Sequence, residues 1–498
     1  MTEWDDEHLP TRAALVAARH QSDAGRTAAP TPLDSFAVSD TPGTEPVLTV
    51  IVLNYNGAHL LPPCLDALAK QDMPDDSMQV WVVDNDSRKD DSVAMLARDY
   101  PWVRLIQNDR NAGFGGGNNV GMRQATTSFI ALTNNDARPD PDWARQLIRP
   151  LQEDSAGRIA AVSGKIVFLP RFVELSLDTP VFRPGSVDGR ELGVRVYKVQ
   201  VNGQDVTEHV LWEGCTYGPE GEGEARFRWT RPRGTVFVPS NLDGSPTREG
   251  LEITLTLAAE ATKPLTLEWS NGGPVTGQVG TTPSELKLMV PADVPQLDVI
   301  NNVGSIVTVD GYGADRGYQQ VDRGQYSDLE DVFAFCGGSV AFRREALLEA
   351  GYFDDNFFMY YEDTDLSWRF RSAGWRVVYE PRSVTRHIHS ASSVEWSPFF
   401  TFHVDLNRLL MLTKNATPRL ALREVMRYPA TTASLAAREI ARSRLTRRRP
   451  AVRPTLLRAR VFMNYLRLLP RMLRQRRNLG AHLVVQRGEL QQHWLVKR

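Results

Sequence analysis

From Val47 onward, short β-branched runs alternate with helix-like stretches, and each run stops on Asn or Asp: VLTVIVLNYN, MQVWVVDNDS, WVRLIQNDRN and SFIALTNND. Between them lie AHLLPPCLDALAKQ, SVAMLARDY, GGNNVGMRQAT and PDWARQLIRPLQ, with apolar residues at helical spacing. Strand and helix in strict alternation predict an α/β fold, a doubly wound and mostly parallel sheet. In such a sheet the carboxyl ends of the strands line up along one edge, where open α/β sheets hold their ligands. Singly, each Asn or Asp is ordinary turn chemistry. Lined up along one edge, they become a candidate site.

The texture changes over residues 185–299. LGVRVYKVQVNGQDV, LEITLTLAAE and SELKLMVPAD alternate apolar and polar residues between Gly, Pro and Asn turns, which predicts an inserted all-β sandwich. Trp212, Trp229 and Trp269 within it fit a packed core better than sugar platforms. Strand and helix patterns return over 300–396, with Gly351 and Gly374 where helix C-caps are expected. The remainder, 397–498, is helical and rich in arginine. The expected organisation is therefore a mobile leader (1–46), an α/β part (47–184), the sandwich (185–299), a second α/β part (300–396) and a basic helical region.

A net charge of -2 gives no reason to expect nucleic acid as a partner. Cys64, Cys215 and Cys336 are isolated, with neither disulfide framework nor metal spacing, and fit a reducing compartment. The acidic start of the chain is not a secretory signal, and no apolar run approaches the length of a membrane span. A cytoplasmic location follows as the expectation.

NAGFGGGNNVGMRQA, Asn111 to Ala125, carries five glycines just before a helix. Gly115, Gly117 and Gly121 give a spaced-glycine pattern like those of dinucleotide-binding folds, but such a fingerprint follows the first strand of its unit. Here the turn after the first strand is NYNGAHLL, and the glycines come two strands later. A nicotinamide enzyme is disfavoured. A helix opening at such a loop still offers free N–H groups to an anion.

VIVLNYNG, VVDNDS, NAGFGGGNN, LTNND and FDDNFFMYYEDTDLSWR, in this order, resemble glycosyltransferase family 2, whose members have the GT-A fold, and above all its bacterial rhamnosyltransferase-type members. The likeness covers about 47–170 and 301–393. It implies an inverting transferase that uses a nucleotide-sugar donor. Asn54, Tyr55 and Asn56 would wall the base, with Asp84, Asn85 and Ser87 beside them. Asn111, Gly113, Phe114, Gly115, Asn118, Asn119 and Asn135 would lie along the sugar or diphosphate. Asp136, Asn134 and His387 would hold a divalent cation, Mg2+ or Mn2+, with His387 preferred over His389. Asp363 would be the general base, with Glu362 supporting the acceptor, whereas Asp365 and Arg369 form a structural pair. Whether Asp90 or Asp91 starts the following helix stays open.

The implied activity is transfer of rhamnose or a similar sugar from a dTDP- or UDP-sugar to a glycan or polyprenyl-linked acceptor, in cell-envelope polysaccharide synthesis. Basic amphipathic helices of the C-terminal kind lie on anionic membrane faces, so a peripheral position on the inner membrane face is part of the expectation. The competing reading is an inactive carbohydrate-binding scaffold, because Asn134 stands where the first acid of an Asp-x-Asp pair is usual.

Overall fold

In the computed structural model, the described residues are 46–185, 188–212, 214–244, 247, 249–270, 272–388, 397–446 and 452–497. The leader, apart from residue 46, and His389 lie outside them.

Four parallel strands, β1 (Leu48–Asn54), β2 (Met78–Asp84), β3 (Arg104–Gln107) and β4 (Phe129–Asn134), stand in the order β3-β2-β1-β4. The sheet continues through β5 (Ala137–Pro139), β6 (Ile159–Phe168), β7 (Ser339–Arg343) and β8 (Arg376–His387). Strand β7 runs antiparallel between β4 and β6, and β8 lies parallel to β6. Val50 and Val52 of β1 face a core shared with the helices α1 (Leu61–Leu68), α2 (Ser92–Asp99) and α4 (Trp143–Glu153). Ile51, between them, faces the opposite core, built on α3 (Gly113–Gln124) and α6 (Glu362–Ser372). Alternate side chains leave a strand on opposite faces, and both faces here are dry. That is why β1 reads as an unbroken apolar run. The expected doubly wound, mostly parallel α/β fold is thus present. Gly351, after α5 (Arg344–Ala350), and Gly374, after α6, have φ of 82° and 83° and terminate those helices as expected.

The inserted sandwich is also present. One sheet pairs Arg195–Val201, Leu251–Ala258 and Ser284–Val290; the other pairs Arg233–Pro239, Phe172–Asp178, Lys263–Trp269 and Val275–Val279. The boundary at 185 needs correction, because Phe172–Asp178 pairs with Arg233–Pro239 inside the sandwich. Its alternating burial is sandwich-like, but its position directly after β6 hid the change of sheet. Trp229 is buried, and Trp212 and Trp269 pack against the sandwich core, the packing role expected of them.

The C-terminal region is helical, as expected, and its helices lie at different depths. Helix α7 (Pro398–Asn415) opens on a Ser397 cap, whose Oγ accepts from Phe400 N at 3.2 Å, and is buried from Asp405 to Asn415. Helices α8 (Pro418–Thr446) and α9 (Arg453–Gly480) pack outside it and leave Leu422, Met426, Leu456, Met463, Leu466 and Leu473 exposed among arginines. Among the described residues, no helix is long and apolar enough to cross a membrane.

Candidate active site

The crevice begins at the carboxyl ends of β1 and β2, which the parallel register sets side by side, Asn54 against Asp84. Asn54 Nδ2 donates to Asp84 Oδ1 at 3.0 Å, and its Oδ1 accepts from Asn135 Nδ2 at 3.1 Å. One buried amide therefore ties the end of β2 to the turn after β4. Ser87 N donates to Asp84 Oδ2 at 3.0 Å, and Ser87 Oγ accepts from Asn56 N at 2.8 Å. Asn56, at φ 51°, uses its Oδ1 to hold the amides of Arg88 and Lys89. Tyr55 stands half exposed at the rim. The choice between the neighbouring acids is resolved: Asp90 accepts from Ala58 N at 2.8 Å and from Ser92 N at 3.2 Å, while Asp91 makes no side-chain cap.

The glycine helix behaves differently from the expectation. A Cβ at Gly113, whose φ is 75°, would overlap the Phe358 carbonyl oxygen, and one at Gly117 would lie 2.5 Å from Leu53 Cδ1. Gly121 faces Ile51 and Val83, and Gly115 faces Phe353 and Glu362. These glycines let α3 press against the sheet and the Phe353–Glu362 segment, so close approach to a ligand is not what requires them. The first helical amides are already engaged, since Phe114 N donates to Phe358 O at 2.8 Å and Gly113 N to Asn111 Oδ1 at 2.9 Å. Asn85 likewise bonds Asn108, Asn111 and the backbone at Ala112 and Gly113. Asn118 donates back to Phe114 O, and Phe114 packs its ring on Phe353. Asn119 is buried and its amide bonds both backbone groups of Phe353 and Asp355 Oδ1 at 2.7 Å, so it clamps a loop with both of its Nδ2 hydrogens taken.

The proposed metal set does converge. Strand β5 pairs with β8 and places Ala137 opposite His387, which brings the preceding Asp136 to the imidazole. His387 Nε2 lies 3.0 Å from Asp136 Oδ1 and 3.2 Å from Asn134 Nδ2. Burial disfavours the imidazolium, but the Asp136 carboxylate outweighs it and raises the proton affinity of His387. Asp136 Oδ1 is buried and has the His387 imidazole as its near neighbour, while His387 Nδ1 is buried without a hydrogen-bond partner. A carboxylate and an imidazole suit Mn2+ better than Mg2+. The Asn134 amide, turned about its last bond, would add an oxygen. The residues fit a divalent cation.

Across the crevice, Asp363 opens α6. Its Oδ1 accepts from Thr364 N at 2.6 Å, and its carboxylate also accepts from Gly337 N. Gly338, the next residue, lies against Asn134, so one glycine turn touches both the acid and the metal set. Burial, and then the charge of Asp315, push Asp363 up to about 6. Glu362 is 5% exposed, with Oε2 in no hydrogen bond, and burial beside Asp363 raises it well above the carboxylate range. Its burial sets it apart from the exposed acid that support of an acceptor would call for.

Sequence reasoning missed two features here. Tyr360 and Tyr361, just before Asp363, both have left-handed backbone, at φ 70° and 67°. Each such non-glycine costs about 1–3 kcal/mol and persists only where its surroundings enforce it. Asn407 of α7 enforces it, donating to Met359 O and Tyr360 O at 2.8 Å each. The other feature is Asp315, in GYGADRGY, whose charge reaches Asp363 and His387 alike. Nothing in its spacing marked it. The Asp365–Arg369 pair is structural, as expected, with Nε to Oδ2 at 2.9 Å in the buried interior.

Residues 49–178 match the family model Glycosyl transferase family 2, and residues 297–401 match Glycosyl transferase family group 2. The chain is 29% identical over 129 residues to Glycosyltransferase AglE of Haloferax volcanii, a match covering 25% of this chain and 41% of that protein. It is 42% identical over 62 residues to an N-acetylglucosaminyl-diphospho-decaprenol L-rhamnosyltransferase of Mycobacterium tuberculosis, covering 12% of this chain and 20% of that one. Each match thus spans less than half of the relative's length. Among solved structures, a mannosyltransferase of Pyrobaculum calidifontis in complex with GDP-Man and Mn2+ aligns at TM-score 0.35 and 16% identity, over 95% of this chain and 96% of that one. The two matched segments, 49–178 and 297–401, flank the greater part of the sandwich.

Proposed function

We propose that the chain is an inverting glycosyltransferase that moves rhamnose or a similar sugar from a dTDP- or UDP-sugar to a glycan or polyprenyl-linked acceptor of the cell envelope. The observation that carries this reading is the chain of contacts that runs from Asp84, through Asn54, to Asn135 in the turn before the Asp136–His387 pair, and from Asn134 across the Gly337–Gly338 turn to Asp363. Rhamnose takes support only from the short rhamnosyltransferase match.

In this reading Asp84, Ser87 and Tyr55 border the nucleoside, while Asp136 and His387, with Asn134, would hold a divalent cation. Bound there, the cation would offset charge on the departing diphosphate. Asp363 takes the proton of the acceptor hydroxyl as that oxygen attacks the anomeric carbon. The sugar–phosphate bond breaks on the far side, and the configuration inverts.

Thermal shift with UDP, dTDP and GDP, with and without Mn2+, tests the donor half. At least one nucleotide should raise the melting temperature more with Mn2+ than without, because a ligand that binds only the folded state stabilises it. His387→Ala should remove the metal-dependent part and keep the rest. A wild-type protein indifferent to every nucleotide would refute the reading.

The exposed apolar residues of α8 and α9, set among arginines, support a peripheral position on an anionic membrane face. Wild-type protein should sediment with phosphatidylglycerol vesicles. A variant carrying Gln at Leu456, Met463, Leu466 and Leu473 should stay in the supernatant, and equal partitioning of the two would overturn the membrane part.

A further inference from the structure

The acceptor side of the crevice lacks an exposed hydrogen-bonding acid if Glu362 is buried, and a neighbouring hairpin supplies one. Strand Ser305–Thr308 pairs antiparallel with Gly313–Asp315, Ser305 opposite Asp315 and Val307 opposite Gly313, and the second strand is exposed throughout. Gly313 N donates to the Tyr361 hydroxyl at 3.0 Å, which bolts this hairpin to the strained turn before Asp363. A Cβ at Gly313 would lie 3.6 Å from the Tyr361 ring and 3.9 Å from Thr364 Oγ1, whose hydroxyl donates to Asp363 Oδ1 at 3.1 Å. Residues two apart on a strand share a face. Asp315 therefore stands on the face of the hairpin turned toward the first turn of α6.

Its placement is fixed from behind. Asn302, buried, donates from Nδ2 to Asp315 Oδ1 at 2.6 Å and holds Gly304 N with its Oδ1 at 2.8 Å. The next residue, Arg316, is committed elsewhere, to Glu330 at 2.6 Å and to Val303 O. After burial, the charge of Asp315 is among the causes that raise the proton affinity of Asp363.

Resting on the transferase reading above, we propose that Asp315 is an acceptor-binding residue, its exposed carboxylate accepting a hydrogen bond from a hydroxyl next to the one that reacts. A sugar acceptor carries such neighbouring hydroxyls as donors, whereas water does not. A carboxylate beside the base would thus favour a polyhydroxylated acceptor and orient it for attack. Hydrogen bonds to a charged group are the stronger kind.

The test follows nucleotide release by full-length protein with Mn2+ from UDP-glucose, UDP-galactose, UDP-N-acetylglucosamine and dTDP-rhamnose, with p-nitrophenyl glycosides as acceptors. Asp315→Asn and Asp315→Ala should raise the acceptor KM by about ten-fold or more. The donor KM should stay within about two-fold of wild type, and the slow release of nucleotide without acceptor should change by much less than the acceptor KM. An unchanged acceptor KM overturns the proposal, and so does an equal loss of acceptor-free release, which marks a structural role. Those outcomes leave the transferase reading standing. A wild-type protein that releases nucleotide from no donor removes that reading and this proposal together.

Discussion

Asp363→Asn should lower transfer by about 100- to 10,000-fold, the contribution of a positioned general base, while nucleotide binding stays near wild type. The asparagine keeps the shape at the start of α6 and loses the ability to take a proton. The wild-type rate should also fall as the pH drops below about 6, because there the carboxylate takes up a proton and can no longer act as base. Stability should move the other way. Burial and the charge of Asp315 raise Asp363 from the ordinary 3.8 to about 6. Between those values the unfolded chain is ionised while the folded chain still holds its proton, so wild-type stability falls as pH rises through the window. Above it the cost persists, and Asp363→Asn should melt at a higher temperature than wild type. Near pH 4 the difference should vanish. A variant that is slower and also less stable at neutral pH would contradict the assignment.

The second large effect concerns a buried lysine far from any ligand. Lys414 Nζ lies 2.8 Å from both Asp354 Oδ2 and Asp365 Oδ2, and all three side chains are at most 4% exposed. Asn415 Nδ2 adds a bond to Asp365 Oδ1 at 2.8 Å. Lys414→Met keeps most of the volume but leaves two buried carboxylates short of a partner, a loss of about 3–5 kcal/mol. Urea titration at pH 7 should show it as a lower midpoint. Burial opposes the charge on Asp354, but Lys414 outweighs it and holds that carboxyl down to about 2. The stabilisation is therefore whole above the ordinary 3.8 and fades as pH falls toward 2. In Lys414→Met the advantage of neutral over acidic pH should shrink. Asp354→Asn in the same background should recover part of the loss; if it recovers none, the lysine acts by some route other than charge.

The alternation of strand and helix, and the polar strand ends, were legible in the sequence because both follow from local periodicity. Asn54, Asp84, Asp136, His387 and Asp363 were named by motif, and contacts link Asn54 to Asp84 and Asp136 to His387. The glycine loop was misjudged because residue type shows that backbone must come close to something, but not what: at Gly113 it is the Phe358 carbonyl and at Gly117 it is Leu53. The clamp made by Asn119 was hidden for a related reason, since its partner Phe353 lies 234 residues away. Asp315 stayed hidden because a pairing made after a long insertion brings it to Asp363. Helix α7 shared the arginine-rich surroundings of its neighbours, and only the buried partners of Asn407 and Lys414 set it apart.

The sandwich leaves and rejoins the α/β body at adjacent points: Phe172 bridges Leu297, and Phe168 N donates to Val299 O at 2.9 Å. Two strands crossing side by side form a narrow neck, sealed by Phe168, Phe172, Phe237 and Val299. Such a neck is a natural graft point. A module of another shape, with its own two ends equally close, would leave the bed of catalytic groups where it is, and so change what the enzyme touches without changing how it reacts.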